Sequence, residues 1–325
     1  MKPMLAISLG DPAGIGPEIV ASCLKSTIKT SDIVIFGHLP SLKRACQLTG
    51  TKVELVSTDS PMRLPEGKVA VVNKGSGSDP IDKPGAAAAE AQFYALEAAT
   101  SEVIDGKCDA LVTAPVSKMY IADLSPGFTG HTEYLATRCG LSRDDVTMLF
   151  ASKKLTVGLV ATHVPMKLVH KTITTRYYTR TLNHMVSLLK GLAPKKIPSI
   201  AVAAFNPHAG EDGLLGSEEK TLLEPLCRSM QKRNDVQISG PIPADTIFRD
   251  AFSGKYDGVI AAYHDQAMIP LKLDGFGKTV NITMGLPFIR TSPDHGVAYD
   301  IAHTGKADAT GMLSAIKIAT ALARL

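Results

Sequence analysis

Three short apolar runs in this chain end in a histidine: "GLVATH" on His163, "AAFNPH" on His208 and "IAAYH" on His264. Neutral imidazole is the commonest side-chain ligand of a divalent metal, and three of them leave coordination positions open for a substrate oxygen. In open α/β sheets, ligands collect outside the carboxyl ends of the strands, so histidines delivered there from separate strands can meet on one ion. Each histidine alone reads equally well as a strand cap or a loop hydrogen-bonding group. Their threefold recurrence is what points to a metal. The third run continues as "AAYHDQAMIPLK", so an apolar segment finishes in His264, Asp265 and Gln266, groups able to bind a ligand or move a proton. Among the other histidines, His38, His170, His184 and His303 read as surface or loop residues, while His131 and His295 stand in further motifs.

Donors for an anion lie elsewhere in the chain. "FTGHTE" packs His131, Thr132 and Glu133 into a glycine turn, and a capping box at the start of a helix explains part of it. Lys272, Lys278, Asn281 and Arg290 follow, the last directly after the apolar "GLPFI". A lysine, an amide and a guanidinium are the donors a phosphate monoester needs, although a lysine is by default a solvated surface charge. "GDPAGIGPE" (10–18) follows the first apolar run; it matches neither dinucleotide nor P-loop spacing, and reads as a structural turn or a phosphate-binding one. "DHGVAYDIAHTGKAD" (294–308) offers Asp294, His295, Gly296 and Asp300 among small residues, a composition suited to wrapping an adenosine. An acid such as Asp300 bonds ribose hydroxyls and repels a 2′-phosphate, which argues for NAD over NADP; the plainer reading is a loop whose acid caps the last helix.

The elements that would carry these groups are short runs of Val, Ile and Ala: 4–10, 32–37, 68–73, 109–115, 156–163, 199–208, 256–265 and 280–285. Near-continuous apolar strands suit a sheet covered on both faces, and helical patterns at 85–105, 177–190, 217–233 and 310–324 separate several of them. This alternation predicts an α/β fold with parallel strands. No internal repeat or low-complexity linker marks a boundary.

Composition narrows the class. The chain has 325 residues, 45% hydrophobic and 20% charged, enough for one large or two medium domains. Its net charge of +4 is dispersed, which favours a small anionic substrate and argues against nucleic acid. The chain opens straight into a strand pattern without an apolar leader, and no apolar run approaches the roughly 20 residues of a membrane span. Five scattered cysteines without a CxxC pattern suit reduced thiols, so cytoplasm is the expected compartment.

Taken in order, "GDPAGIGPE", "TAPVSK", "GHTE", "NPHAGEDG", "PADTIF", "YHDQ", "GFGKTVNIT" and "GLPFIRTSPDHG" resemble the 4-hydroxythreonine-4-phosphate dehydrogenase family of vitamin B6 biosynthesis, essentially end to end. The resemblance implies a two-domain α/β fold similar to isocitrate and isopropylmalate dehydrogenases, with a mostly parallel sheet. It implies approximate boundaries of 1–125 plus 283–325 for an NAD-side domain and 126–282 for a metal, substrate and dimer-side domain. It also implies a homodimer with the active site at the subunit interface, no membrane or nucleic-acid partner, NAD (with NADP possible) as cofactor, and one divalent ion, zinc, magnesium, cobalt or manganese, on His163, His208 and His264. Substrate contacts carried over are His131, Thr132, Lys272, Asn281 and Arg290. Asp245, Asp265 and Lys118 are the candidates for base or proton relay. The sequence shows no departure at these positions.

The expected reaction is oxidation of the C3 hydroxyl of a phosphorylated hydroxy amino acid, 4-phosphohydroxy-L-threonine. The β-keto acid formed, 2-amino-3-oxo-4-phosphooxybutanoate, then loses CO2. A paralogous activity on 4-phospho-D-threonate or 4-phospho-D-erythronate shares nearly all these residues. A terephthalate dihydrodiol dehydrogenase would not need the phosphate donors, and a metal-dependent phosphohydrolase would not need the 294–308 loop. A non-enzymatic binding protein would not need the complete histidine set.

Overall fold

The computed structural model describes residues 1–324. The chain folds as two compact units, Met1–Arg143 with the segment from Leu286 onward, and Asp144–Gly285. The break thus falls after Arg143, whereas the sequence suggested residue 125. The helix His131–Arg138 explains the difference: its Leu135 is buried with Ile121 and Phe128 in the first unit's core.

The first unit holds β1 (Met4–Ser8), β2 (Asp32–Gly37), β3 (Glu54–Thr58), β4 (Lys68–Asn73) and β5 (Ala110–Thr113). The second holds β6 (Thr147–Ala151), β7 (Thr156–Leu159), β8 (Ser199–Ala203), β9 (Gln237–Ile242), β10 (Gly258–Ala261) and β11 (Val280–Met284), and β12 (Ile289–Pro293) returns to the first.

Strand order in the first unit is β3-β4-β2-β1-β5-β12, and all five pairings are parallel. Every residue of β1 and β5 is buried, as a central strand covered on both faces requires. One cover is the helix Ala86–Ile104, whose inward face is mostly alanine and so lets the helix approach the strands closely. Strand order in the second unit is β11-β6-β7-β10-β8-β9. There β7, β10, β8 and β9 run parallel, but β6 is antiparallel to both β7 and β11, so the sheet is mostly and not wholly parallel. The helix Thr175–Leu192 is capped by the Thr174 side chain, which accepts from Tyr177 N–H at 3.3 Å, and it buries Tyr178, Leu182 and Met185 at helical spacing.

Four strands escaped the sequence pattern, for local reasons. β3 and β9 are partly exposed edge strands, and β9 contains Gly240-Pro241, a pair that reads as a turn. β12 reads Ile-Arg-Thr-Ser-Pro, too polar to stand out as an apolar run although four of its five residues are buried. β6 is a five-residue strand that follows the acidic turn Arg143–Asp145. The helical pattern at 217–233 is interrupted: a π-helical turn over Glu219–Leu223 precedes the α-helix Glu224–Met230.

No helix among the described residues is long and apolar enough to cross a membrane. The five cysteines are all free, and burial lifts the Cys23 and Cys108 thiols to about 12 and those of Cys46 and Cys227 to about 11, away from reactive thiolate.

Candidate active site

In the first unit a cationic cluster forms beyond the end of β5. Arg290 projects from β12, is 2% exposed, and donates from Nη2 to Thr113 Oγ1 at 2.8 Å. Burial pulls its guanidinium down to about 10, opposed by the Glu133 carboxylate, so it remains charged at neutral pH. His131 and the buried Thr132 open the helix after Gly130, whose turn lies against Lys118: a Cβ added at Gly130 would sit 3.4 Å from Lys118 Nζ. His131 Nε2 is buried without a hydrogen-bond partner. Desolvation first, then the charges of Arg290 and Lys118, hold this imidazole well below its ordinary 6.5, so it is neutral at pH 7. Two cations and a neutral imidazole with an unanswered ring nitrogen form a receptor for an anion.

The same unit builds the 294–308 loop on two buried acids. Asp11 accepts from Tyr299 Oη at 2.6 Å, Gln92 Nε2 at 3.3 Å and Ala13 N–H at 2.9 Å. Gln92 Oε1 in turn accepts from Ser117 N–H at 2.7 Å. Glu18 takes the backbone N–H groups of His303 and Gly305. Ile15 N–H donates to Val297 O at 2.9 Å, and a Cβ on Gly14 would stand 2.7 Å from that oxygen. "GDPAGIGPE" is therefore a support for the 294–308 loop, with its glycines admitting the loop backbone and its acids holding it. Asp11, Glu18 and Tyr299 were missed as a site by spacing alone, since nothing in a lone carboxylate announces its distant partner. Within the loop, Ala298 and His303 adopt left-handed φ values of 44° and 63°. His295 donates from Nδ1 to Gly296 O at 3.1 Å, Asp294 is partly buried, and Asp300 is exposed to solvent.

In the second unit the three strands β7, β10 and β8 are neighbours, and His163, His264 and His208 follow their carboxyl ends. The His163 and His264 rings stand together, centroids 5.8 Å apart, and line a cavity of about 210 Å³ with Tyr263 and Asp265. His264 Nδ1–H donates to Asp265 Oδ1 at 2.7 Å, which fixes the tautomer with Nε2 as the unprotonated nitrogen. Both side chains are largely solvated, so this pair orients the ring and adds little stability.

His208 sits differently. The segment Pro207–Gly213 contains five successive left-handed residues, His208 (φ 51°), Ala209 (54°), Gly210 (78°), Glu211 (43°) and Asp212 (58°). Such backbone costs about 1–2 kcal/mol for each non-glycine residue, so it persists only where neighbours enforce it. No three of His, Cys, Asp and Glu among the described residues form a complete metal cluster. The structure pairs His163 with His264 and does not bring His208 into the same group. The donor set still fits a divalent ion: imidazoles from three adjacent strand ends, one already backed by a carboxylate.

The remaining candidates spread along this unit. Asp245 is exposed in the first turn of the helix Ala244–Phe252. Lys272 lies on the helix His264–Gly275, its Nζ 5.4 Å from the Phe276 ring centroid. Asn281 Oδ1, on β11, is buried without a hydrogen-bond partner. Gln266, read from sequence as one of three groups able to do chemistry at the strand end, instead clamps two of the strand ends. Its Nε2 donates to Ala204 O at 2.8 Å and its Oε1 accepts from Ala262 N–H at 2.7 Å.

Comparison with known proteins covers nearly the whole chain. The model of the family described as "Pyridoxal phosphate biosynthetic protein PdxA" matches residues 29–319. A D-threonate 4-phosphate dehydrogenase from Salmonella typhimurium is 40% identical, covering 98% of each chain. A 4-hydroxythreonine-4-phosphate dehydrogenase from Trichlorobacter lovleyi is 36% identical, covering 99% of this chain and 98% of the relative. The crystal structure of the Klebsiella pneumoniae 4-hydroxythreonine-4-phosphate dehydrogenase superposes with a TM-score of 0.85 at 36% identity, over 100% of this chain and 99% of that one. Isocitrate dehydrogenase from Methylococcus capsulatus, 15% identical with a TM-score of 0.50, shares the fold alone. The expectation of an isocitrate-dehydrogenase-like α/β fold is met, the phosphohydrolase reading falls, and this chain belongs to the PdxA family of pyridoxal phosphate biosynthetic proteins, as one of its dehydrogenases.

Proposed function

We propose that the protein oxidises the C3 hydroxyl of 4-phosphohydroxy-L-threonine, passing hydride to NAD and a proton to a side-chain base. The product, 2-amino-3-oxo-4-phosphooxybutanoate, is a β-keto acid and loses CO2 to give 3-amino-2-oxopropyl phosphate. The observation that carries this reading is the buried, unpartnered Nε2 of neutral His131 beside Arg290 and Lys118, a receptor for the phosphate that a non-phosphorylated diol would leave empty.

His131, Thr132 and Arg290, with Lys272 and Asn281, are the phosphate and substrate contacts. A divalent ion, zinc, magnesium, cobalt or manganese, would be held by His163, His208 and His264, and when bound it supplies a Lewis acid that lowers the pKa of the reacting hydroxyl. Asp265 is engaged with His264, and Lys118 stands beside the Gly130 turn, which leaves Asp245 as the base to test first. Asp294, His295, Gly296 and Asp300 belong to the cofactor loop. An exposed acid at Asp300 favours the ribose of NAD over the phosphate of NADP. A homodimer is supported by Ile269 and Leu273, 62% and 81% exposed one turn apart on the helix that His264 opens, and by Phe276, 80% exposed directly after its end.

The 40% identity to a D-threonate 4-phosphate dehydrogenase supports a second reading, with 4-phospho-D-threonate as substrate. NADH formation by the purified protein, with each substrate and with or without a chelator, separates the two. Turnover of 4-phosphohydroxy-L-threonine that the chelator abolishes is expected. Turnover of 4-phospho-D-threonate alone selects the second reading, and chelator-resistant turnover removes the metal.

A further inference from the structure

We infer that Glu219 is a positioning residue for His208, holding the left-handed turn that presents this imidazole; the inference rests on the reading of His208 as a metal ligand. Glu219 is 2% exposed and opens the π-helical turn Glu219–Leu223. Its Oε1 accepts the backbone N–H groups of Phe205 at 2.8 Å and Asn206 at 2.7 Å, while Oε2 accepts from Asn206 Nδ2 at 2.9 Å. One carboxylate thus fixes the backbone and the side chain immediately before Pro207-His208.

The other side of the turn closes on the same group. A Cβ added at Gly210 would lie 2.8 Å from Glu219 Oε2 and 3.0 Å from Gly216 O, so the turn wraps directly over the carboxylate. Gly216 is equally constrained, since a Cβ there would collide with Asn206 Nδ2. Asn206 Nδ2 also donates to Glu218 Oε2 at 2.7 Å, and Leu215 N–H returns to Gly210 O at 3.0 Å. A run of unfavourable φ values survives here because three charge-assisted bonds to one buried acid outweigh it. Without that acid the turn relaxes toward ordinary backbone and the His208 ring loses its direction. Glu219 touches neither ring nor ligand; it acts through the backbone.

The test measures cobalt(II) binding by calorimetry and by its visible spectrum, together with amide hydrogen exchange over 205–213 in the metal-free protein. Glu219→Ala is expected to weaken cobalt(II) binding about 10–100-fold, the usual range for a supporting residue behind a metal ligand, and to speed exchange in the turn. Glu219→Gln, which keeps an oxygen for the two backbone N–H groups but loses the charge and the acceptor for Asn206 Nδ2, should restore part of both. In a His208→Ala background, Glu219→Ala should cost less than about twofold more, because the route through His208 is already gone. Additive losses, or wild-type cobalt(II) affinity and wild-type exchange in Glu219→Ala, overturn the inference. If Glu219→Ala fails to fold, Gly216→Ala displaces Asn206 with the carboxylate intact and should give the same loss of cobalt(II); unchanged binding there overturns it. If the wild-type protein itself binds no cobalt(II), the metal reading fails, and exchange over 205–213 alone decides the role of Glu219.

Discussion

The two units use buried acids in opposite ways. In the first, Asp11 and Glu18 hold the 294–308 loop against a wholly parallel sheet, and the cations beside it are already gathered: Arg290 is bonded to Thr113 and Lys118 stands at the Gly130 turn. In the second, Glu219 restrains a strained turn, and only two of the three histidines stand together. An anion receptor can be built complete, because cations held by protein oxygens and by the sheet remain in place when the anion leaves. Metal-ligating side chains do not attract one another, so the proposed metal site, drawn from three loops, would depend on its supports until an ion arrives. The first unit is preorganised by burial, and the second by restraint.

The largest expected effect tests the restrained unit. His208→Ala should lower kcat by more than about 100-fold while NAD affinity changes little, since a lost ligand costs more than a lost support. Steady-state rates with NAD titration by fluorescence check this, and parallel loss of cofactor binding would show that His208 does more than support turnover. Next comes the anion receptor. Arg290→Met should raise KM for the phosphorylated substrate roughly 10–100-fold, the worth of one charge-assisted bond, and leave cobalt(II) affinity as in wild type. Asp11→Asn probes the loop support: putting an amide NH2 where Oδ2 accepts from Tyr299 Oη and Gln92 Nε2 should cost about 1–3 kcal/mol of stability and raise KM for NAD, again without touching metal binding.

The smallest effect is on pH dependence. Burial lowers the imidazoles of His38, His131, His184 and His303 below their ordinary 6.5, so each takes a proton more readily in the unfolded chain. Unfolding then binds protons as pH drops through 6.5, and stability falls on the acid side of that value, with no contribution from these groups above it. Three of the four lie in the first unit, so amide protection factors there, taken relative to the intrinsic exchange rate at each pH, should fall at lower pH more than in the second.

Much of this was legible in the residues. The buried strands β1, β5 and β10 announced themselves as continuous apolar runs, and the histidines after β7, β8 and β10 marked the ends of those three strands. Arg290 was conspicuous because it follows "GLPFI" directly. What stayed hidden depended on partners distant in sequence. β3 and β9 sit at edges where half-exposure blurs the pattern. Glu219 reads as one more acid on a solvated helix until Phe205 and Asn206 fold over it. Gln266 looks like part of a catalytic block, yet it ties Ala204 to Ala262.

Local chemistry by itself determined which residue types end the strands, the alternation that yields an α/β fold, and the presence of donors for a metal, an anion and a nucleotide. Those are written in short-range patterns, since strand burial and residue type depend on a few neighbours at a time. The tertiary structure decided that the glycine loop at 10–18 is a support for a segment nearly three hundred residues away, that β6 runs antiparallel, and that His208 rides on a left-handed turn. The first is settled by groups meeting across almost the whole chain, β6 by its pairing with the distant β11 as well as with its neighbour β7, and the turn by the nearby Glu219. In each, hydrogen-bond satisfaction in a buried environment, rather than local propensity, selects the conformation.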